Sequence, residues 1–262
     1  MRTPSKSMFT DLSPACKPPG EGAPSDSAQA GGRLYTYSHA RPAVSVDVIV
    51  FKLLDERLHV LLVRRGREPF AGAWAIPGGF VEIDESLEHA ARRELAEETG
   101  LTDVWLEQLY TFGRPDRDPR GRVVTVAYYA LAPADQSVKP VGGDDAAQAR
   151  WFDVGDLPPL AFDHDEIVHY ALQRLRTKLE YTTVGFQLLP TAFTLSQLQR
   201  VYEAILGRTL DKRNFRRKVV SLGILQPVGR RLRGGPHRPA GLYQLVATRF
   251  ENLKDRGILF PF

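Results

Sequence analysis

The chain reads as an α+β protein in two folded parts, and three observations carry that reading. Strand-like and helix-like stretches mix between residues 43 and 183 without a regular strand–helix–strand alternation. That pattern predicts a mixed sheet flanked by helices rather than a doubly wound parallel one. Beyond residue 184 the order becomes helix, helix, strand, loop, strand. The charge is also divided. Between Gly207 and Pro239 lie ten basic residues, Arg208, Lys212, Arg213, Arg216, Arg217, Lys218, Arg230, Arg231, Arg233 and Arg238, against one acid, Asp211. This is a local +9 in a chain of formal net charge +4, which leaves −5 for the remainder. An acidic body joined to a compact basic module suits two different partners, the second of them a polyanion.

Taken in order, residues 1–42 read as a disordered tail. Pro4, Pro14, Pro18, Pro19 and Pro24 mix there with glycines and serines, and no periodicity is sustained. From Val44 to Phe51 the chain reads as a strand, His59–Val63 as its hairpin partner, and Asp55–Arg57 as the turn. Ser86–Thr99 is a helix by composition, closed by Gly100. Strands follow at Trp105–Phe112, Arg122–Leu131 and Ala149–Phe152, then a helix over His164–Glu180 that completes a unit spanning 43–183. Phe186–Pro190 reads as a linker with some apolar anchoring. Thr194 caps a helix through Leu206 with Leu195, Leu198, Val201, Tyr202 and Ile205 on one face. Asp211 caps another to Leu222, closed by Gly223, and strands at Ile224–Val228 and Gly241–Val246 bracket a basic loop. This is the order of a winged helix-turn-helix, assigned to 184–250, with 251–262 as a C-terminal tail.

Composition excludes other classes. Hydrophobic residues make up 43% of the chain and charged residues 25%, with no apolar run long enough to span a membrane. The start of the chain lacks the apolar core of a secretory signal. The single cysteine, Cys16, rules out an intramolecular disulfide and a cysteine-rich zinc site, and fits a cytoplasmic setting.

The sharpest signal is one helix. Glu94, Glu97 and Glu98 stand at i, i+3 and i+4, so three carboxylates share a face, while Leu87, Ala91 and Leu95 hold a neighbouring face on the core. Like charges at that spacing repel, and an intervening cation relieves them. Oxygen ligands suit Mg²⁺ or Mn²⁺. Arg93 is placed to orient one carboxylate while the others bind metal. A solvated acidic helix face is the alternative. The spacing, however, sits inside a longer pattern. Gly79, Glu85, Arg93, Glu94, Leu95, Glu97, Glu98, Gly100 and Leu101 fill every fixed position of G-x5-E-x7-R-E-U-x-E-E-x-G-U, with U aliphatic. The run resembles the Nudix box.

The resemblance implies an α/β/α sandwich with a mixed sheet, in which the box binds divalent metal beside a diphosphate. By position, Glu97 and Glu98 match the principal metal ligands, and Glu94 binds metal or takes the proton from the attacking water. The Gly78 carbonyl joins the metal shell, Glu85 braces the loop and Arg93 orients the glutamates. Substrates in that family are nucleoside diphosphates linked to another group, cleaved at the pyrophosphate with metal lowering the pKa of a bound water.

The loop between the second pair of strands carries Arg114, Arg117, Arg120 and Arg122 among Asp116 and Asp118. Arginine forks suit phosphates, but surface charges pairing with one another are an equal alternative. With Ala161–Asp165 the stretch resembles the ADP-ribose-type branch of Nudix proteins. Asp144 and Asp145 could add a base or a metal contact, or be loop solvation. His164 reads as a helix N-terminal residue rather than a catalytic one.

In the basic module Phe215, Val219 and Leu222 turn inward, leaving Lys212, Arg213, Arg216 and Arg217 exposed. Arg230, Arg231, Arg233, His237 and Arg238 fall in the wing. A charged, solvated helical hairpin is one account. A recognition helix and a wing on double-stranded DNA is the other, and the joint pattern favours it. A Nudix unit followed by this module resembles the NrtR family, regulators of NAD metabolism that sense ADP-ribose-type ligands. The box here is complete, whereas many regulators of that family carry a degraded one. Two functions follow: a Mg²⁺-dependent hydrolase of ADP-ribose or a related dinucleotide with a DNA-binding appendage, and a repressor that binds its effector without cleaving it. Symmetric operators imply a homodimer.

Overall fold

The computed structural model describes residues 26–30, 33–37, 39–133, 146–232 and 240–254. Residues 1–41 form one unit and 42–262 another. In the first, β1 (Asp26–Ala30) and β2 (Arg33–Tyr37) pair antiparallel, Asp26 opposite Tyr37. Reading 1–42 as a tail gives this ribbon no place, because two five-residue strands carry too little alternation to stand out.

The second unit is built on a mixed sheet. Its strands are β3 (Ala43–Leu54), β4 (Arg57–Arg65), β5 (Trp74–Ala75), β6 (Gly78–Phe80), β7 (Trp105–Phe112), β8 (Val123–Ala132) and β9 (Ala146–Asp153). The path runs β5-β4-β3-β8-β7, with β6 also on β3 and β9 also on β4. Only β3 and β8 run parallel, from Ala43 opposite Val123 to Lys52 opposite Ala132. The β3–β4 hairpin turns on Asp55 and Glu56, both at positive φ. Such a turn matches the twist of the flanking strands.

Residues 45–52 of β3 are all buried, which requires cover on both faces. Val46, Val48 and Val50 point to helix α1 (Leu87–Thr99), where Ala90, Ala91 and Leu95 meet them. Ile49 and Phe51 point the other way, to helix α2 (His164–Leu179) and its Ile167, Val168, Ala171 and Leu175. Helix, sheet and helix form the expected sandwich. Strands β5 and β6 escape sequence reading because they are only two and three residues long.

The α2-side core continues into the C-terminal module. Val184–Leu188 forms a 3₁₀ turn, and Phe186, Leu188 and Leu189 are buried in that core, the apolar anchoring expected of this connection. Helix α3 (Leu195–Leu206) opens with a reciprocal cap: Thr194 Oγ1 accepts from the Gln197 amide, and Gln197 Oε1 accepts from the Thr194 amide. Asp211 Oδ1 accepts from Asn214 N to start helix α4 (Lys212–Ser221). Phe215 on α4 packs edge-on against Tyr202 on α3, ring centroids 5.5 Å apart. Gly223, at φ +68, ends the helix in the left-handed region that glycine enters freely. Strands β10 (Leu225–Leu232) and β11 (Ala240–Leu245) then pair antiparallel, Leu225 opposite Leu245, and Phe193 bridges to Tyr243. Helix α5 (Ala247–Lys254) runs across position 250, where the sequence suggests the module ends, and buries Phe250. Among the described residues no helix is long and apolar enough to cross a membrane.

Candidate functional site

Helix α1 delivers the box residues. Ser86 Oγ accepts from His89 N at its start, and Gly100, at φ +74, closes it. With Ala90, Ala91 and Leu95 fixed in the core, the face carrying Glu94 and Glu98 looks into a cleft of about 360 Å³. The floor of that cleft comes from β3 (Ser45, Asp47) and β6 (Gly78, Gly79), its rim from Arg64, Arg65, Arg67, Arg120, Phe80 and Phe162.

Two glycines make the approach of helix to sheet possible. A Cβ on Gly79 would stand 2.6 Å from Glu94 Oε2 and nearer still to Oε1. A Cβ on Gly78 would stand 2.9 Å from Asp47 Cα and nearer still to the Val46 carbonyl oxygen. The Gly78 amide donates to Glu98 Oε2 at 3.0 Å, tying loop to helix.

Arg93 organises the acids. Its Nη2 and Nε donate to the two Glu85 oxygens at 2.6 and 3.1 Å, Nη1 to Glu94 Oε1 at 2.8 Å and Glu97 Oε2 at 3.3 Å, and Nη2 also to the Phe80 carbonyl at 3.2 Å. The Arg93 bond, aided by the Glu82 amide, holds the Glu85 carboxyl at about 2. The other two acids shift upward. Burial raises Glu94, against the pull of Arg93. Burial also pushes Glu98 to about 8, with Glu94 and Asp47 adding repulsion that the Gly78 amide and Arg65 only partly offset. Glu97 differs: its side chain is 60% exposed, on Arg93 rather than in the cleft. Among the described residues no three acids or histidines are grouped closely enough to share a metal ion. Thus i, i+3, i+4 spacing puts three acids on one helix face, but the rotation of α1 set by its buried residues turns only Glu94 and Glu98 inward.

The loop arginines separate into two pairs. Arg117 is buried, donating to Asp163 at 3.0 and 2.7 Å and reaching Asp47 Oδ2 at 3.5 Å. Arg120 is held by Asp118 in a fork, with Nη2–Oδ2 at 2.7 Å, and its guanidinium lies over the rings of Phe80 and Phe162 at the cleft mouth. Arg114 pairs with Glu166 at 3.3 Å, and Arg122 donates to the Gly113 carbonyl at 2.7 Å, and neither lines the cleft. All four are thus paired within the protein, and Arg117 and Arg120 also line the cleft.

Several cleft residues carry no motif of their own. Asp47 comes from a largely apolar strand, whose other polar residues are Ser45 and Lys52. Asp163 is the residue before α2 but makes no capping bond, its carboxylate being committed to Arg117. His164 is the first residue of α2, as its sequence position indicates, and it also lines the cleft. Its Nδ1 accepts from the Ile76 amide at 2.9 Å, which leaves the ring proton on Nε2, 3.7 Å from Asp47 Oδ1. Burial holds this imidazole below its ordinary value, hence neutral. Phe162, a non-glycine residue at φ +55, stacks edge-on with Phe70, itself at φ +64. Backbone held in that region marks a place the surrounding structure over-determines. The only sequence signal for this group is Ala161–Asp165, legible through the family resemblance alone. Asp144 and Asp145 lie outside the described residues.

In the C-terminal module Lys212, Arg213 and Arg217 are exposed on α4. Arg216 corrects the expectation: it is half-buried, its Nη2 donating to Ser196 Oγ at 2.9 Å, because the start of α3 lies within its reach. Arg230 and Arg231 lie on β10, while Arg233, His237 and Arg238 fall outside the described residues.

The NUDIX domain family matches residues 43–171, and the NrtR DNA-binding winged helix domain matches residues 185–245. An ADPR responsive transcriptional repressor of Acinetobacter baylyi is 34% identical over 222 residues, 84% of this chain and 88% of that protein. An ADP-ribose pyrophosphatase of Methanocaldococcus jannaschii is 44% identical over 136 residues, 52% of this chain and 74% of that protein. Shewanella oneidensis NrtR, solved with a 27mer DNA, superposes with a TM-score of 0.68 at 38% identity, covering 79% of this chain and 95% of that one. A Nudix unit with an intact box, continuous through its core with a winged helix, places the chain in the NrtR family.

Proposed function

We propose that the chain is a Mg²⁺- or Mn²⁺-dependent Nudix hydrolase of ADP-ribose or a related nucleoside diphosphate, joined to a winged helix that binds double-stranded DNA. One observation carries the enzymatic half: Glu94 and Glu98 turn together into a cleft whose rim is arginine and aromatic. The donor set fits a hard divalent cation, since two half-buried carboxylates with raised proton affinity are short of positive charge. In this reading Glu94 and Glu98 would hold the ion with the Gly78 carbonyl, while Glu97 stays on Arg93 outside the cleft. A bound divalent ion lowers the pKa of a coordinated water and offsets charge on the phosphate oxygens.

The chain's own residues supply the rest. Water attacks one phosphorus of the diphosphate, the bond from that phosphorus to the bridging oxygen breaks, and the products are AMP and ribose 5-phosphate. In this reading Glu94 would take the water proton, steadied by its bond from Arg93 Nη1. Arg120 and Arg65, which line the cleft, would receive phosphate and sugar-linked oxygens. Buried Arg117 acts indirectly, holding Asp47 and Asp163.

The likeness to an ADPR responsive repressor across both domains supports a second role for the same site, as a sensor whose occupancy alters DNA binding. The test is to incubate purified chain with Mg²⁺ and ADP-ribose and to follow AMP. Turnover abolished in Glu98→Gln supports hydrolysis. Tight binding without turnover leaves the sensor alone. For the module, a gel shift on palindromic duplexes that is salt-sensitive and altered by ADP-ribose is expected, with a homodimer in light scattering.

A further inference from the structure

We infer that Val220 is a sequence-reading residue of this module, packing against the 5-methyl group of a thymine in the DNA major groove. This rests on the DNA-binding reading above and goes beyond it by naming the base feature read.

The observation is a misfit of chemistry. Among the described residues after Tyr181, Val220 is the one large apolar side chain left exposed, at 53%. It sits on the most cationic of the described helices. On α4, Phe215 and Val219 are buried against the module's core, which fixes the helix rotation. Arg213, Arg217 and Val220 then stand at i, i+4 and i+7, one stripe facing away from that core. Arg217 is held in place, its Nη2 donating to Asn214 Oδ1 at 2.9 Å. Ser221, next along the chain, donates its hydroxyl to the Lys218 carbonyl, so it offers no competing contact from that proton. A valine there leaves more than half of its surface in water, and β-branching disfavours it in an exposed helix.

The second helix of a helix-turn-helix enters the major groove. Arginines on the stripe meet phosphates or guanine edges, and an apolar side chain among them has one match there, the thymine methyl. No methyl is presented in the minor groove. The stripe from Arg213 to Val220 spans roughly 10 Å, about three base-pair steps, so Val220 and the two arginines read neighbouring positions of one half-site.

The test uses the full chain. Duplexes are selected from a randomised library with wild type, and each thymine of the selected half-site is replaced in turn by uracil, which lacks only the methyl. One position is expected to lose about fourfold in affinity, the worth of burying one methyl group. Val220→Ala should bind the parent duplex about fourfold more weakly and be indifferent to uracil at that position, while Val220→Ile keeps the discrimination. Because Val220 is exposed, neither variant perturbs the core, and circular dichroism checks this. The inference is overturned if no thymine is sensitive, or if the sensitive one stays sensitive in Val220→Ala. It is also overturned if Val220→Ala changes the solution mass while uracil sensitivity persists, which would put Val220 at a protein interface. Selection of no sequence at all would instead remove the DNA-reading function on which the inference stands.

Discussion

Gly79→Ala separates the site from the fold in one substitution. The new methyl would lie 2.6 Å from Glu94 Oε2 and nearer still to Oε1, well inside van der Waals contact, so something must move by about 1 Å. What it meets is the end of a flexible side chain, so Glu94 swings away and the backbone stays. The displaced carboxylate leaves its 2.8 Å bond with Arg93 Nη1 and its position beside Glu98. Misplacing a catalytic group by about 1 Å costs on the order of 100-fold in rate, whereas losing one partly exposed bond costs only about 1 kcal/mol of stability. Gly78→Ala is the matched opposite. Its methyl meets backbone, the Val46 carbonyl oxygen and Asp47 Cα, inside the β3–β6 pairing. Strands must separate, at about 3 kcal/mol or more. The assay is urea unfolding of both variants beside Mg²⁺-dependent ADP-ribose binding and turnover. If Gly79→Ala keeps wild-type binding and turnover, or unfolds as readily as Gly78→Ala, the close packing of Glu94 on this loop is wrong.

Three further outcomes are expected. Arg117→Met should cost about 3–5 kcal/mol, since it strands the buried Asp163 carboxylate and weakens the hold on Asp47; a loss below about 1 kcal/mol in denaturant melts would contradict a buried ionised pair. The metal-free chain should lose stability as pH rises from 4.5 to about 8, because folded Glu98 keeps its proton through a window in which the unfolded chain has released it. The ceiling is roughly 5 kcal/mol, and melts in chelator should flatten in Glu98→Gln and recover with Mg²⁺; equal wild-type stability at pH 5 and pH 8 would rule out the desolvated, only partly compensated carboxylate. Arg217→Ala should lower DNA affinity and reduce the slope of log K against log salt by about 1 if that side chain meets a phosphate; an unchanged slope would take Arg217 off the backbone.

Much of this protein is legible in one dimension because its signals are local. Ser86 and Gly100 bound α1, Thr194 and Asp211 start α3 and α4, and Trp105–Phe112 is a strand, all set by capping and periodicity within a few residues. The box fixes which carboxylates share a helix, since a 3.6-residue repeat needs no partner to be read. The basic stretch after Gly207 is likewise visible as composition.

Tertiary structure alone decided which way those groups face. Glu97 differs from Glu98 only in helix rotation, set by the packing of Ala90, Ala91 and Leu95 on β3, and that rotation sends one acid to Arg93 and the other into the cleft. Asp47, Arg117, Asp163 and His164 converge from β3, the loop before β8 and the start of α2, across 46 to 117 positions of chain. Burial then changes their chemistry, committing one arginine to ion pairs and one histidine to neutrality. Spacing determines which groups can act together along one element. Desolvation and partners from distant elements determine which of them are charged, held or open to a ligand, and those are properties of the folded chain only.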